Sequence, residues 1–183
     1  MCLTIKMIDF DTITVIDDFL PKEQFEHISS LVMNTSEDSF PFYVQKDVAD
    51  DDENADHWSW YATHTFFVDG EEDSNYFPII KEYFLDRFRK DLKIMSGYIR
   101  VKANFYGWTP DVRHHNWHID YSTTKNKGAL FSLNTCDGSL VFKDGTKVDS
   151  VANRIVFFDA HHEHRSSTTS NSYGRYNINF NFV

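Results

Sequence analysis

Two segments of the chain alternate strictly between apolar and polar side chains. The first runs from Tyr98 to Tyr106 and the second from Arg175 to Phe182. A period of two residues predicts β-strands whose two faces meet different environments. The polar face would ordinarily meet water, whereas in a barrel it would line a cavity while the apolar face packs on helices. Because Arg175 lies on the polar face in phase with Asn177, the barrel is favoured.

Shorter segments of β-forming side chains fill the rest of the second half of the chain. Strands are predicted at 98–106, 116–121, 128–134, 139–142, 146–149, 154–158 and 175–182, with Gly, Asp and Asn marking the turns. Short strands are also predicted within residues 1–20. Many short strands joined by such turns predict a jelly roll with a cupin-like barrel.

Two helices are predicted before the long strands. Pro21 opens the first and Pro78 the second, because a proline at the first helical position loses no hydrogen bond. Their apolar positions are Phe25, Ile28, Leu31 and Val32 in the first helix and, every four residues, Ile80, Phe84, Phe88 and Leu92 in the second. The predicted fold is therefore mainly β (α+β), with a jelly-roll core and supporting N-terminal helices.

The segment 47–56 is predicted to be an exposed loop. It holds six acidic residues and almost no side chain that could join a core. The aromatic residues that follow it are Trp58, Trp60, Tyr61, Phe66 and Phe67. They are most simply core residues. The alternative is a lid over a binding site, with the aromatic residues and His64 as a substrate wall.

Length, charge and cysteine content limit the function classes. A chain of 183 residues predicts one domain, 1–183, and its formal net charge of −10 disfavours nucleic acid as the main partner. Cys2 and Cys136 are the only cysteines, which predicts no structural disulfide and a reducing compartment. Charged residues in the first twenty positions and the lack of a long apolar run predict a soluble, cytoplasmic protein without a signal peptide or membrane span.

His118 and Asp120 form a His-x-Asp motif, and His164 follows 44 residues after Asp120. Two imidazoles and one carboxylate are the ligand set of the facial triad, which leaves three adjacent metal positions open and suits non-haem Fe(II). Residues two apart on a strand project to the same face, so the motif can hold one ion while His164 comes from a neighbouring strand. Arg175 lies 11 residues after His164. Its guanidinium could hold the far carboxylate of a dicarboxylate co-substrate.

Other histidines compete for these assignments. The chain has nine, and His114, His115, His161 and His162 lie close to the predicted ligands. A solvated, His-rich loop is therefore the plainest alternative to a metal site. Ligand type, spacing, strand context and the downstream arginine together favour the iron site.

The segments that carry these residues resemble the 2-oxoglutarate/Fe(II)-dependent oxygenases. The likeness lies in residues 143–148, 152–159, 164 and 175–180, and upstream in 15–21, 100–104 and 118–121. It is strongest to the small prolyl-hydroxylase-like members, several of them carried by bacteriophages, and covers almost the whole chain. From the same likeness we expect that the protein is expressed from a viral genome in a host cell.

This resemblance implies a double-stranded β-helix and a hydroxylase with Fe(II) as its cofactor and 2-oxoglutarate and O₂ as its co-substrates. The implied catalytic residues are His118, Asp120, His164 and Arg175, of which the first three bind the metal. The resemblance also implies a polar residue that helps to bind 2-oxoglutarate. The candidates are Asn104, Tyr106, Ser132 and Asn134, of which Tyr106 and Asn134 are preferred. Asn177 is added to these candidates because it is in phase with Arg175. Because Asp120 is present where halogenating relatives have a small residue, hydroxylation is favoured.

The second substrate is expected to be a peptide or an amino acid. The acidic segment favours a cationic or neutral substrate over DNA, and the prolyl-hydroxylase likeness points the same way. Two other functions stay open: a cupin-like enzyme holding another metal with His114, His118 and His164 for a non-oxidative reaction, and a barrel that binds a ligand without turnover.

Overall fold

The computed structural model describes residues 8–36, 38–46, 48, 58–121 and 126–183. The predicted loop or lid at 47–56 lies outside these residues, except for Val48. Within the described residues, no helix is long and apolar enough to cross a lipid bilayer.

Short strands and helices make up the first half of the chain. They are β1 (Thr14–Ile16), α1 (Lys22–Val32), β2 (Tyr43–Gln45), β3 (Tyr61–Val68), β4 (Glu71–Glu72), α2 (Phe77–Ile80), a π-helical turn (Lys81–Leu85) and α3 (Asp86–Lys90). Pro21 precedes α1 directly, as predicted. The second predicted helix is built from α2, the π-helical turn and α3 in succession.

The described residues of the second half form strands and loops, with no helix after α3. The strands are β5 (Tyr98–Gly107), β6 (Lys127–Ser132), β7 (Ser139–Phe142), β8 (Lys147–Asp149), β9 (Arg154–Asp159), β10 (His164–Ser166) and β11 (Gly174–Phe182). The strand predicted at 116–121 is wrong: this segment has no regular strand and pairs with β10 through the isolated bridge of His118 with His164.

The strands form two antiparallel sheets. The larger has the order β1-β9-β6-β11-β5-β3-β2, with β4 added to β3, and the smaller has the order β10-β7-β8. The long pairing of β5 with β11 puts Arg175 opposite Tyr106 and Asn177 opposite Asn104. The polar residues of both alternating strands therefore share one face of the larger sheet.

Two apolar cores cover the two faces of the larger sheet. The apolar face of β5 and β11, with Val101, Ala103, Ile178 and Phe180, packs against the helices around Phe84. Across the other face, a smaller cluster joins side chains of β6 and β9 to side chains of β7 and β8. The smaller sheet thus closes over the polar face of β5 and β11, as the barrel interpretation of the alternation predicted.

The aromatic residues after the acidic segment separate into two groups. Phe66 and Phe67 are buried core residues, whereas Trp60 keeps 38% of its surface exposed. His64 is buried and structural, since its ring nitrogens contact the carbonyl oxygen of Pro41 at 2.9 Å and the hydroxyl of Ser74 at 2.7 Å.

Candidate metal centre and cavity

The His-x-Asp motif lies on an extended segment that is tied to β10. The backbones of His118 and His164 exchange two hydrogen bonds of 2.9 Å, and the N–H of Asp120 donates to the carbonyl oxygen of Ala160 at 3.2 Å. One ligand atom from each of His118, Asp120 and His164 can be chosen so that all three lie within 4.8 Å of one another. The fold therefore gathers the predicted triad at one point, although His118 and Asp120 do not lie on a regular strand.

The two imidazoles are oriented by backbone carbonyls. The Nδ1 of His164 lies 2.8 Å from the carbonyl oxygen of His162, and the Nδ1 of His118 lies 3.3 Å from that of Asn116. A ring N–H that donates to a carbonyl leaves the lone pair on Nε2, as in most histidine metal ligands. Burial, and then the neighbouring His164, lower the pKa of His118, so its neutral, metal-binding form is favoured.

Asp120 is held by two asparagines of β11. Its Oδ2 accepts hydrogen bonds from Asn181 at 2.8 Å and from Asn179 at 3.2 Å. Its Oδ1 lies 3.9 Å from the Nε2 of His164 and 3.7 Å from the guanidinium of Arg100. Burial alone would raise the pKa of this carboxyl, but His164, Arg100 and the Asn181 hydrogen bond outweigh it and lower the pKa to about 2. Asp120 is therefore an anion with one oxygen occupied and one directed to the histidines.

A narrow cavity of about 20 Å³ adjoins the triad, which is room for about one water molecule. Its polar lining includes Tyr61, Lys102, Asn104, Tyr106, Ser166 and Asn179, and its apolar lining includes Val48, Leu130, Leu140 and Phe158. A ligand of the size of 2-oxoglutarate can enter only if some of these side chains move aside.

Arg175 lies behind Tyr106 and is not among the residues that line this cavity. It is only 1% exposed, with its guanidinium 5.4 Å from the Tyr106 ring. Its Nη1 makes a long contact of 3.4 Å to the carbonyl oxygen of Ser167, and its Nε has no hydrogen-bond partner. A Cβ at Gly138 would come within 2.7 Å of the Arg175 stem, so the glycine makes room for this arginine. Burial lowers the pKa of Arg175.

Asn104 and Asn177 form a buried pair between the triad and Arg175 along the paired strands. The Nδ2 of Asn104 donates to the Oδ1 of Asn177 at 2.9 Å. The remaining Oδ1 of Asn104 and Nδ2 of Asn177 have no partner. Unpaired buried polar groups are costly, so these atoms, with the Nε of Arg175, are suited to a polar ligand.

Asn134 is not brought to the cavity. Its side chain donates to the carbonyl oxygen of Gly174 and accepts from the N–H of Tyr176, each at 2.9 Å, which fixes the start of β11. Ser132, paired with Asn177 across the strands, is buried but does not line the cavity either.

The other histidines near the motif stay outside the cluster. Among the described residues, His118, Asp120 and His164 are the one group with metal-ligand spacing, and His114 is not part of it. His115 is buried beside Tyr106, and burial lowers its pKa to about 4. His161 and His162 contact Asp159 and Asp144 instead.

Three further residues of this site, Lys102, Asn179 and Asn181, were not assigned a role from the sequence. The available signal was the alternation itself, since all three are polar positions of β5 and β11 in phase with Asn104 or Asn177.

The fold is shared with solved oxygenases. No family model and no curated protein sequence matches the chain. A 2OG-Fe(II) oxygenase family protein from Burkholderia pseudomallei superposes with a TM-score of 0.67 at 11% identity, covering 93% of this chain and 84% of that chain. A Trichoplax adhaerens prolyl hydroxylase, solved with a hypoxia inducible factor oxygen degradation domain peptide fragment, gives 0.64 at 17% identity, covering 93% and 83%.

A third similar structure, HygX from Streptomyces hygroscopicus with nickel and 2-oxoglutarate bound, gives a TM-score of 0.61 at 10% identity, covering 94% of this chain and 84% of that chain. At such identities the likeness establishes the fold. The predicted double-stranded β-helix is confirmed, and the predicted resemblance to 2-oxoglutarate oxygenases and prolyl hydroxylases is found again in three dimensions.

Proposed function

We propose that this protein is a non-haem Fe(II) oxygenase that couples oxidative decarboxylation of 2-oxoglutarate to hydroxylation of a second substrate. The observation that carries the proposal is the convergence of His118, Asp120 and His164 within 4.8 Å, beside a buried cavity. Two imidazoles and one carboxylate are a donor set suited to Fe(II) with open positions. The fold shared with a 2-oxoglutarate-bound protein supports the same activity.

Each ligand is prepared by its neighbours. His118 and His164 would bind iron through Nε2, because each Nδ1 faces a backbone carbonyl. Asp120 would bind through Oδ1, because Oδ2 is taken by two asparagine donors. When bound, iron and 2-oxoglutarate supply the oxidising chemistry with O₂ as oxidant, and the products are succinate, CO₂ and the hydroxylated substrate. The protein positions the reactants, and the enclosed cavity limits the entry of water.

We assign the far carboxylate of 2-oxoglutarate to Arg175, which it would reach past Tyr106 once the side chains that narrow the cavity move aside. The unpaired Nε of Arg175 and Nδ2 of Asn177 are buried donors without acceptors, and a carboxylate has acceptor capacity for both. Tyr106 and Asn104 line the cavity along the same strand pair and would flank the chain of the co-substrate.

The proposal is tested by adding Fe(II) and 2-oxoglutarate to the anaerobic protein. A visible charge-transfer band is expected, and succinate should form once air is admitted. His164→Ala should abolish Fe(II) binding and the band, whereas the matched variant His162→Ala should keep both, because the His162 side chain contacts Asp144 at 3.5 Å and the Phe142 ring and lies outside the triad. If His162→Ala loses the metal while His164→Ala keeps it, the ligand assignment is wrong.

The same experiment separates the other two functions. A bound metal that gives no band with 2-oxoglutarate would indicate a cupin-like enzyme with a non-oxidative reaction. A band without succinate formation, in the presence of all candidate substrates, would indicate a barrel that binds its ligand without turnover.

A further inference from the structure

Lys102 places an ammonium group in the cavity of the proposed metal centre. It lies on β5 and lines the same cavity as His118, Asp120 and His164. Its Nζ lies 5.3 Å from the centre of the Tyr61 ring, a cation–π contact. Among the described residues no carboxylate is within ion-pair distance of this Nζ, and no hydrogen bond to it is formed. An ammonium has three donors, so this group is open to a ligand.

The cations beside the cavity outnumber the anions that the proposed function supplies. Fe(II) and 2-oxoglutarate, in the proposed function, bring two positive and two negative charges that cancel. Asp120, the one acidic residue among the described residues lining the cavity, is offset by Arg100 at 3.7 Å. The cations Lys102 and Arg175 then remain in excess. A half-buried ammonium without a counter-charge is unfavourable, so a ligand carboxylate placed beside Lys102 is favoured.

A hydrogen-bond acceptor lies across the strand pair from Lys102. Its register partner on β11 is Asn179, whose Nδ2 donates to Asp120 while its buried Oδ1 has no partner. An amide oxygen suits an ammonium or another donor of a ligand. The lysine can bind a carboxylate and the amide oxygen can accept a hydrogen bond from an ammonium. Together the two groups are complementary to a zwitterion.

We propose that Lys102 binds a carboxylate of the second substrate, and that this substrate is a free amino acid rather than an uncharged residue within a peptide. The inference rests on the proposed function, since it assigns the second substrate of that same site. The ammonium holds the α-carboxylate, the Oδ1 of Asn179 accepts from the α-ammonium, and the side chain of the substrate faces the apolar lining of Leu130, Leu140 and Phe158.

The test uses the full chain with Fe(II) and 2-oxoglutarate, and measures succinate formation with each free L-amino acid and with the matching amino-acid carboxamide. At least one free amino acid should stimulate succinate formation. Its carboxamide keeps the ammonium but lacks the carboxylate charge. The carboxamide concentration for half-maximal stimulation should therefore be at least roughly tenfold higher.

Lys102→Gln should raise the half-saturating amino-acid concentration by about tenfold or more, and Lys102→Arg, which keeps the charge, should restore most of the affinity. The 2-oxoglutarate Kd from the anaerobic band should change by no more than about threefold in Lys102→Gln, in contrast to Arg175→Ala. Circular dichroism of each variant checks that it is folded, and Lys102→Met serves as a second neutral variant.

Four results overturn the inference. One is stimulation by carboxamides as strong as by free acids, and another is unchanged amino-acid affinity in both folded neutral variants. A third is loss of 2-oxoglutarate binding in Lys102→Gln as large as in Arg175→Ala, which would assign Lys102 to the co-substrate. The fourth is an absence of stimulation by any free amino acid in protein that gives the charge-transfer band. Absence of the band itself would be a failure of the proposed function, and the inference would fall with it.

Discussion

Replacing Asn181 by alanine removes the shorter of the two hydrogen bonds that hold Asp120. The Nδ2 of Asn181 donates to the Asp120 carboxylate at 2.8 Å, while its Oδ1 accepts from Arg100 at 3.1 Å and 3.3 Å. Asn181 is fully buried, so water cannot take over these contacts without a rearrangement. The substitution should therefore loosen the carboxylate and release Arg100 toward it.

The size of the effect follows from the type of contact. A hydrogen bond to a charged group contributes roughly 1.5–3 kcal/mol. Because Asn179 still donates to the same oxygen at 3.2 Å, the lower end applies, which is about tenfold in the metal Kd. Removing both asparagines should cost roughly 100-fold, at the upper end of the range usual for residues that support metal ligands.

The assay is an anaerobic Mn(II) titration in which electron paramagnetic resonance reports the free ion. Asn134→Ala is the matched control, because that asparagine also makes several hydrogen bonds to β11 and its surroundings but lies away from the cavity. It should lower stability and leave the Mn(II) Kd unchanged. A folded Asn181→Ala variant that binds Mn(II) within about twofold of the wild type would refute the reasoning.

Two further predictions concern Arg175 and Lys102, the cations near the proposed metal centre. Arg175→Lys keeps the positive charge but loses the planar fork, so it should raise the KM for 2-oxoglutarate more than it lowers kcat and leave the metal Kd unchanged; steady-state kinetics with unchanged 2-oxoglutarate dependence would argue against this role. Burial, with Arg100 adding to it and Asp120 opposing it, lowers the pKa of Lys102 from 10.5 to about 8. Between these pH values the unfolded chain holds a proton that the folded chain has lost, so the free energy of unfolding should rise with pH there, by roughly 3 kcal/mol more in the wild type than in Lys102→Gln. The titratable and charged groups around Lys102 are Tyr61, Arg100, Tyr106, His118, Asp120 and His164. Chemical denaturation of both proteins from pH 7.5 to 10.5 measures the difference, and parallel pH profiles would contradict it.

The strands with strict alternation could be predicted because one physical cause acts along their whole length. β5 and β11 each have an apolar face on the helices and a polar face on the cavity. A register slip of one residue would bury the asparagines against the helices, so the pattern specifies both strand and pairing. β3 was missed as a strand for the opposite reason. Its pairing with β5 shifts between Thr65 and Phe67, and such a bulge breaks the period of two.

The second helix shows a different limit of the same method. Ile80, Phe84 and Phe88 recur every four residues and are all fully buried. In a regular α-helix residues four apart drift by about 40° around the axis, so this spacing would carry the apolar face away from the sheet. The π-helical turn at Lys81–Leu85 contains more residues than an α-helical turn, which brings the apolar side chains back to the side that faces the sheet. The spacing of four therefore indicated the π-helical turn, but a prediction that assumes a regular α-helix does not include such a turn.

The irregular, extended conformation of the segment around His118 could not be predicted, because contacts with residues far along the chain fix it. It pairs with the neighbouring segment through two isolated bridges, from His114 to Ser167 and from His118 to His164, and through single backbone hydrogen bonds such as that from His115 to Ser166. The side chains of His118 and Asp120 nevertheless reach one point, since the exchanged backbone bonds with His164 and the contact to Ala160 keep the segment extended. The sequence spacing predicted that these side chains converge, and they do, although the regular strand that this prediction assumed is absent.

Four polar side chains of one strand, β11, have different roles in the site because their neighbours differ along the strand. The polar positions of β11 read Arg175, Asn177, Asn179 and Asn181 in order, and the periodicity makes them equivalent. In the fold they are not, because the neighbours differ at each level. Asn181 and Asn179 reach Asp120, Asn177 pairs with Asn104, and Arg175 lies behind Tyr106. These neighbours are set by the bridge from His118 to β10 and by the smaller sheet that covers the face, both of which are long-range contacts. The alternation thus determines which side chains lie on the polar face of the sheet. The closure of the barrel determines which of them hold Asp120, the proposed metal ligand, and which keep unpaired polar atoms that could bind a substrate.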